Sequence, residues 1–492
     1  MKNENESNRR NFIRKVTLGA GLLATGFSGL GANLISKASP EEAPKKKPQG
    51  FNMSGYAAPK IDTVRVGMIG MGERGKRAVI RLIQIENLEV IAIADKLEEK
   101  VRYSQNNLTK LGLSKAAEYY GGEEEWKKLC ERNDIDLVYI CTPWAWHTPM
   151  AVYAMEQGKH VCVEVPAAKT IDEAWQLVET SERTRKHCMM LENCCYDFFE
   201  LLTLNMSRQG YFGELIHGEA AYIHNLLEEN FTKSKYVDDW RLRENSLRNG
   251  NLYPTHGLGP VCQAMNINRG DKMEFLTSVS SNDFQMGAKA KEMAEKDTYY
   301  QEFVDRSFRG NMNTSVIKTK KGKTIMVQHD VTSTRPYSRI HLLSGTKGIA
   351  CKWPEPARIS KGASHEWLSD AEMKALEEKY APEIVKHIGV IAKKIGGHGG
   401  MDFMMDWRTI DCLRNGLPLD ENVYDAALWS SVAPLSEWSV KNRSNSIDIP
   451  DFTRGAWETN KPVELTLVGG GTTGAREAII PKASKVLEQM EI

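Results

Sequence analysis

Val64-Arg65-Val66-Gly67-Met68-Ile69-Gly70-Met71-Gly72-Glu73-Arg74-Gly75 is an apolar run that ends in Gly-x-Gly-x-x-Gly, and Asp95 closes the next apolar run, Leu88 to Ala94. The first glycine permits a tight turn off a strand. The second lets backbone N–H groups approach a pyrophosphate, and the third lets the following helix pack against the sheet. A helix N-terminus then offers the phosphates unpaired N–H groups and a favourable dipole. Asp95, about twenty residues beyond Gly75, is placed to bond a ribose 2′-OH and to repel a 2′-phosphate, which favours NAD over NADP. Ala78 to Ile83 is amphipathic and supplies the intervening helix, so strand, turn, helix and acid all agree on a dinucleotide site.

Outward from this turn, strands at 64–69, 88–94, 135–141, 160–164 and 187–191 alternate with helices at 74–84, 97–110, 148–157 and 172–185. That order predicts an α/β fold whose N-terminal part, 61–193, is a Rossmann domain with a doubly wound parallel sheet. Ligands of such sheets bind beyond the carboxyl ends of the strands. The weight therefore falls on Gly70 to Gly75, Asp95, Thr142 to His147, Glu164-Val165-Pro166 and Glu192-Asn193. After Tyr196 the pattern turns to period two, and 216–222, 274–280, 314–319 and 324–329 read as antiparallel strands with one wet face. A C-terminal α+β domain over 194–460, with a mainly antiparallel open sheet, follows from this. Its ligand face should cover the nicotinamide end of the first domain. Residues 461–492 are left as a C-terminal segment.

The chain has 492 residues, 41% hydrophobic and 26% charged, which suits a two-domain enzyme. With 65 basic and 64 acidic residues it carries a net charge of +1 and no basic face, so nucleic acid is not an expected partner. Nine cysteines show no paired metal spacing and read as reduced core thiols. His217, His224, His341 and His398 likewise have no His-Glu-x-x-His or Cys-x-x-Cys neighbour, and no metal is expected. Asn8-Arg9-Arg10-Asn11-Phe12-Ile13-Arg14-Lys15, followed by a glycine-rich apolar stretch, resembles a twin-arginine export signal over 1–38. Residues 39–60 read as a solvated linker, with order beginning near Ile61. An exported, periplasmic protein that meets the twin-arginine export machinery is the expectation. Because that route carries folded proteins, NAD would be loaded before transport.

A nucleotide-binding domain, Thr142 to His147, Glu164-Val165-Pro166 and an antiparallel domain together resemble the Gfo/Idh/MocA oxidoreductases. That group usually has Glu-Lys-Pro in the middle motif, with the lysine serving proton transfer, and Val165 cannot exchange a proton. A narrower resemblance fits this departure. Glu164 to Ala168, Leu191 to Tyr196, Trp240-Arg241, Asn251 to Pro260 with its Tyr253-Pro254-Thr255-His256, and Gly397 to Asp402 are similar to glycoside hydrolase family 109.

The resemblance implies an α-N-acetylgalactosaminidase that uses tightly bound NAD without consuming it, acting on glycans bearing N-acetylgalactosamine. In the implied route the sugar is oxidised transiently at C3, deprotonated at C2, opened by elimination at C1 and rehydrated, and the cofactor is regenerated. Ordinary glycosidases instead place two carboxylates across the glycosidic bond. His256 is the expected acid/base, since imidazole can exchange a proton at working pH. Tyr253 is its expected partner, and Tyr196 is expected to reach the sugar from the cofactor side. The resemblance assigns Gly70, Met71, Gly72, Arg74, Gly75, Asp95, Trp144, His147, Glu164, Val165 and Asn193 to the cofactor. It assigns Tyr222, Arg241, Tyr253, Pro254, Thr255, His256 and Tyr337 to the sugar. Gly396 to Gly400 is expected to be a loop over the sugar. The competing expectations are an exported NAD-dependent sugar dehydrogenase and a non-catalytic sugar-binding protein. A homodimer through the open sheet is expected from fold analogy.

Overall fold

The structure is a computed structural model that describes residues 50–490; the expected leader and residues 39–49 of the expected linker lie outside the described residues. β1 (Val64–Ile69) is buried at every position but Arg65, as a strand covered on both faces must be. With β2 (Leu88–Ala94), β3 (Ala117–Tyr119), β4 (Leu137–Ile140), β5 (His160–Val163) and β6 (Cys188–Met190) it forms a six-stranded parallel sheet in the order β3-β2-β1-β4-β5-β6. The order reverses between β1 and β4, and the crevice at their carboxyl ends is where such sheets take ligands.

Helices cover both faces. The helix Ile171–Thr184 shows why it starts where it does. Thr170 Oγ accepts from the Glu173 N–H at 3.1 Å, and the Glu173 carboxylate accepts from the Thr170 N–H at 3.0 Å. The helix expected to start at 148 begins at Trp144, with Pro149 inside it. This shift puts Trp144 and His147 on its first turn, at the crevice. β3 and the helix Glu125–Cys130 were not anticipated; both are short and half polar.

The second sheet has eight strands in the order β13-β12-β11-β7-β10-β9-β8-β14. These are β7 (Leu215–Ile223), β8 (Met273–Ser280), β9 (Asn313–Thr319), β10 (Thr324–Asp330), β11 (Leu342–Gly345), β12 (Gly348–Cys351), β13 (Arg358–Lys361) and β14 (Ile447–Asp448). The pairs are antiparallel except β7 with β10, so the sheet is mainly antiparallel, as expected, with one parallel pair.

Two ends of the described chain depart from expectation. Residues 50–60 pack on the body: Met53 and Ala58 are buried, and Tyr424 Oη accepts from the Met53 N–H at 3.1 Å and donates to the Phe51 carbonyl at 3.2 Å. Order thus begins ahead of Ile61. The C-terminal segment crosses back to the nucleotide domain, where Arg476 donates to the carbonyls of Ile83 and Leu88 at 2.9 and 2.7 Å. Among the described residues no helix is long and apolar enough to cross a membrane, and all nine cysteines are unpaired.

Candidate functional site

Gly70 has φ +89°, and a Cβ there would stand 2.7 Å from the Cys141 carbonyl oxygen, because the ends of β1 and β4 close on each other. A Cβ on Gly75 would stand 1.8 Å from the Gly70 carbonyl oxygen, which only glycine allows. A Cβ on Gly72 would meet nothing within 4 Å, so the space outside the turn is open, as a pyrophosphate requires. Asp95 pins the same turn, accepting from the Met71 N–H at 2.7 Å and the Leu97 N–H at 3.0 Å. A carboxylate has about four acceptor sites, so Asp95 retains capacity for a ribose hydroxyl. The residues present therefore fit a dinucleotide.

A cleft of about 1420 Å³ runs from this turn to the second domain. Arg77 and Tyr103 line it, together with Ser484 and Leu487 of the helix Ile480–Gln489. Trp144, His147, Glu164, Val165 and Asn193 all line it near the turn. His147 is locked, with Nδ1 2.7 Å from the Pro166 carbonyl oxygen and Nε2 2.7 Å from that of Thr142; burial lowers its pKa. Arg74, on the first turn of the helix Glu73–Leu82, donates to Glu164 at 2.9 Å and ion-pairs with Asp402 at 3.4 Å.

The opposite wall is aromatic. Tyr253 stacks on Trp144 at 5.8 Å between ring centroids and meets Tyr222 at 4.7 Å. Arg241 lies over Trp144, Tyr236, Trp240 and Tyr253 at 5.0–5.4 Å, and its buried Nε has no hydrogen-bond partner in the protein. Burial holds the hydroxyls of Tyr222 and Tyr253 well above the usual tyrosine range, so both are neutral donors.

His256 opens the helix Thr255–Ala264. That helix lies close because Gly257 faces the Ala221 backbone, where a Cβ would stand 2.3 Å from the nitrogen. Gly259 likewise faces Cys195, Glu192 and Trp429, each 3.0 Å from a Cβ. The approach puts His256 Nδ1 2.7 Å from Glu192 Oε1. Its partner is thus this carboxylate and not Tyr253, whose ring only packs edge-on at 4.9 Å. Burial alone would raise the Glu192 pKa, but the imidazole and its hydrogen bonds outweigh burial and hold it below the ordinary value.

Several expected residues lie elsewhere. Tyr196 is buried and donates to Asp420 at 3.2 Å, a bond directed away from the cleft, so a catalytic role for it is not supported. Pro254, Thr255 and Tyr337 are not among the lining residues. Pro254 and Thr255 are buried in the turn, and Tyr337 packs edge-on behind Tyr222 and His224, with its hydroxyl accepting from Arg339 at 3.3 Å.

The structure adds residues as well. His224, two beyond Tyr222, lines the wall with Nδ1 2.9 Å from the Tyr222 hydroxyl. Gly396, Gly397, Gly399 and Gly400 have φ of 83°, 80°, 75° and 106°, and the loop they form presents His398, 56% exposed, to the cleft. His398 Nδ1 lies 3.0 Å from Asp402, a buried carboxylate that also takes Arg74, Arg81 and Asn193. Burial opposes its ionisation, but the two guanidiniums hold it well below the usual range. One layer deeper, burial pushes Asp406 up to about 6 although Arg81 and the Tyr139 hydroxyl bond it.

Ligand atoms of Glu192, Cys194 and His256 lie within 4.8 Å of one another. Burial pushes the Cys194 thiol well up.

A family model described as Glycosyl hydrolase 109, C-terminal domain, matches residues 196–459, and one described as Oxidoreductase family, NAD-binding Rossmann fold, matches residues 64–192. A Glycosyl hydrolase family 109 protein of Shewanella pealeana is 48% identical over 463 residues, covering 93% of this chain and 99% of its own length. Glycosyl hydrolase family 109 protein 1 of Bacteroides fragilis (strain YCH46) is 49% identical over 422 residues, covering 83% and 89%. Levoglucosan dehydrogenase in complex with NADH shares the fold with a TM-score of 0.57 at 14% identity, over 79% of this chain and all of that one. Apo scyllo-inositol dehydrogenase from Lactobacillus casei does so with a TM-score of 0.56 at 12% identity, over 79% and 98%.

Proposed function

From the premise that the chain belongs to glycosyl hydrolase family 109, an NAD-dependent sugar-processing glycosidase family by its two domains, we propose the following reaction. The enzyme removes terminal α-linked N-acetylgalactosamine from glycans by transient C3 oxidation, C2 deprotonation, elimination and water addition, and its NAD stays bound and is regenerated.

The observation that carries this reading is His256, backed by a buried carboxylate and facing the same cleft as the glycine turn, with Val165 where a dehydrogenase of this fold would have its lysine. Gly70, Met71, Gly72 and Asp95 would hold the pyrophosphate and ribose, and Trp144, Glu164, Val165 and Asn193 the nicotinamide end. Bound there, NAD supplies reversible hydride transfer at sugar C3. His256 Nε2 takes and returns a proton beside the nicotinamide end. The Arg241 guanidinium, held in its aromatic cage, lines the cleft and offers its N–H groups to a sugar oxygen. Tyr222 and Tyr253, as neutral phenols, donate hydrogen bonds to sugar hydroxyls. The aglycone must extend toward solvent, so the exposed imidazole of His398 is the one placed to exchange a proton with the departing oxygen.

The test is a chromogenic α-N-acetylgalactosaminide supplied to the purified protein without added NAD, with aglycone and NADH absorbance followed together. The reading expects aglycone over many turnovers and no accumulating NADH. NADH formed in step with an oxidised sugar would make the protein a sugar dehydrogenase instead. We further place the protein outside the cytoplasm, exported already loaded with NAD by the twin-arginine machinery; replacing Arg9 and Arg10 by Lys should retain it in the cytoplasm. A homodimer is proposed through the outer sheet face, where Phe275, Val279 and Val316 are 37%, 59% and 42% exposed. Light scattering at micromolar concentration reads this directly.

A further inference from the structure

Glu192 has no solvent exposure, and its Oε1 accepts from His256 Nδ1 at 2.7 Å and from the Cys194 N–H at 3.1 Å. Among the described residues no lysine or arginine ion-pairs with it, and the His256 imidazole is its basic partner. Behind it lies Glu421, also buried, with both carboxyl oxygens lacking a hydrogen-bond partner. Burial, with the Glu192 charge adding to it, raises the Glu421 carboxyl well above its ordinary value.

An ionised carboxylate can only accept hydrogen bonds, so the 2.7 Å contact requires the proton on His256 Nδ1. In the neutral ring Nε2 then carries the lone pair. His256 is a lining residue whose Nδ1 face is taken, so that lone pair is the part left for the cleft. Gly259 makes the arrangement possible, since a Cβ there would stand 3.0 Å from Glu192 Cγ and push the His256 helix away.

We propose that Glu192 is a positioning residue for the reaction. It fixes the Nδ1–H form of His256, aims Nε2 at the sugar and stabilises the imidazolium once a proton has been taken. This rests on the proton-exchange role given to His256 above. Glu192 touches neither sugar nor cofactor and acts through the imidazole alone. A glutamine in its place lacks the charge and can donate its amide to Nδ1, which turns the ring to the Nε2–H form and removes the base.

The test compares Glu192→Gln and Glu192→Asp with wild type, each as full-length NAD-loaded protein of verified cofactor content. Glu192→Gln should lower kcat by about 10²-fold with KM changed less than about threefold, and should move the acid limb of the pH profile to lower pH. Glu192→Asp, which keeps the charge, should recover part of the loss and carries the test should Glu192→Gln not fold. Nitrogen-15 spectra of histidine-labelled protein, with His256 assigned through His256→Asn, should show the Nε2 lone pair in wild type and its loss in Glu192→Gln. Wild-type kcat and an unchanged ring form in Glu192→Gln would overturn the proposal. The spectra read His256 whether or not any glycoside is cleaved, so failure of the glycosidase reading and failure of this inference are distinguishable.

Discussion

His256 and His398 face one cleft, each against a buried carboxylate, yet the two pairs are built for different work. His256 stands on a helix, its side chain 14% exposed, and shares Glu192 with no other ion-pairing side chain among the described residues. His398 is 56% exposed on a loop of positive-φ glycines, and its carboxylate, Asp402, is shared with Arg74 and Arg81. Glu192 has His256 as its one ion-pairing side chain, whereas the Asp402 charge is already answered by two guanidiniums and ties the second domain to the glycine-turn helix. Under the proposed reaction the same two residue types thus give a fixed base on the helix and an exposed proton carrier on the loop.

Removing the fixed base should have the largest effect. His256→Ala should lower kcat by about 10³-fold or more while leaving NAD content unchanged, and turnover within tenfold of wild type would break the comparison. Asp402→Asn should be the more damaging change to the fold, because Arg81 is left buried with less compensation. A loss of roughly 3–5 kcal/mol in urea unfolding is expected, and a change under about 0.5 kcal/mol would show that the carboxylate does not hold the domains together. His398→Ala should slow alkyl glycosides by about 10²-fold and nitrophenyl glycosides by less than about tenfold, since a good leaving group needs little protonation. Equal slowing of both classes would remove His398 from the departing oxygen.

The smallest effect concerns a third buried carboxyl. Glu200 shares Arg339 and Lys352 with Asp197, and burial together with the Asp197 charge pushes it up to about 7. A carboxyl raised in this way holds its proton more tightly when folded. Its contribution is therefore complete below about pH 4 and is lost as pH rises through 7. Asp402, held low, runs the other way, with a contribution complete above about pH 4 and lost only in stronger acid. Glu200→Gln should therefore remove a decline of unfolding free energy between about pH 4.5 and 7, so that the slope of stability against pH becomes more positive there than in wild type. An unchanged slope would show that Glu200 does not titrate there.

The nucleotide wall was legible because its signals are local. Continuous apolar strands, glycines at fixed offsets and a spaced acid lie within about thirty residues of one another. Pro149 sits inside a helix that starts five residues ahead of it, where a proline more often stands at a helix start. The sugar wall was legible only in part. Alternation found four strands but says nothing of partners, so the parallel pairing of β7 with β10 was missed. The helix Met401–Asn415 is buried at nearly every position and shows no amphipathic stripe. Glu192 and His256 are 64 positions apart, and the contact depends on Gly257 and Gly259, whose meaning appears only once Ala221 and Glu192 occupy the space beside them. Tyr196 was misjudged because a strand-end position does not tell which way a side chain turns; its hydroxyl goes to Asp420.

The central claim is that sugar C3 is oxidised and restored while the C2 proton is exchanged, and it is tested most directly by isotope position in the product. An α-N-acetylgalactosaminide deuterated at C3 should be hydrolysed in ordinary water alongside an unlabelled sample in heavy water, and both product sugars read by proton NMR. In the proposed reaction the C3 label stays at C3 and solvent deuterium enters at C2 in step with aglycone release. Aglycone released with no deuterium at C2 would mean direct displacement at C1 and would contradict it.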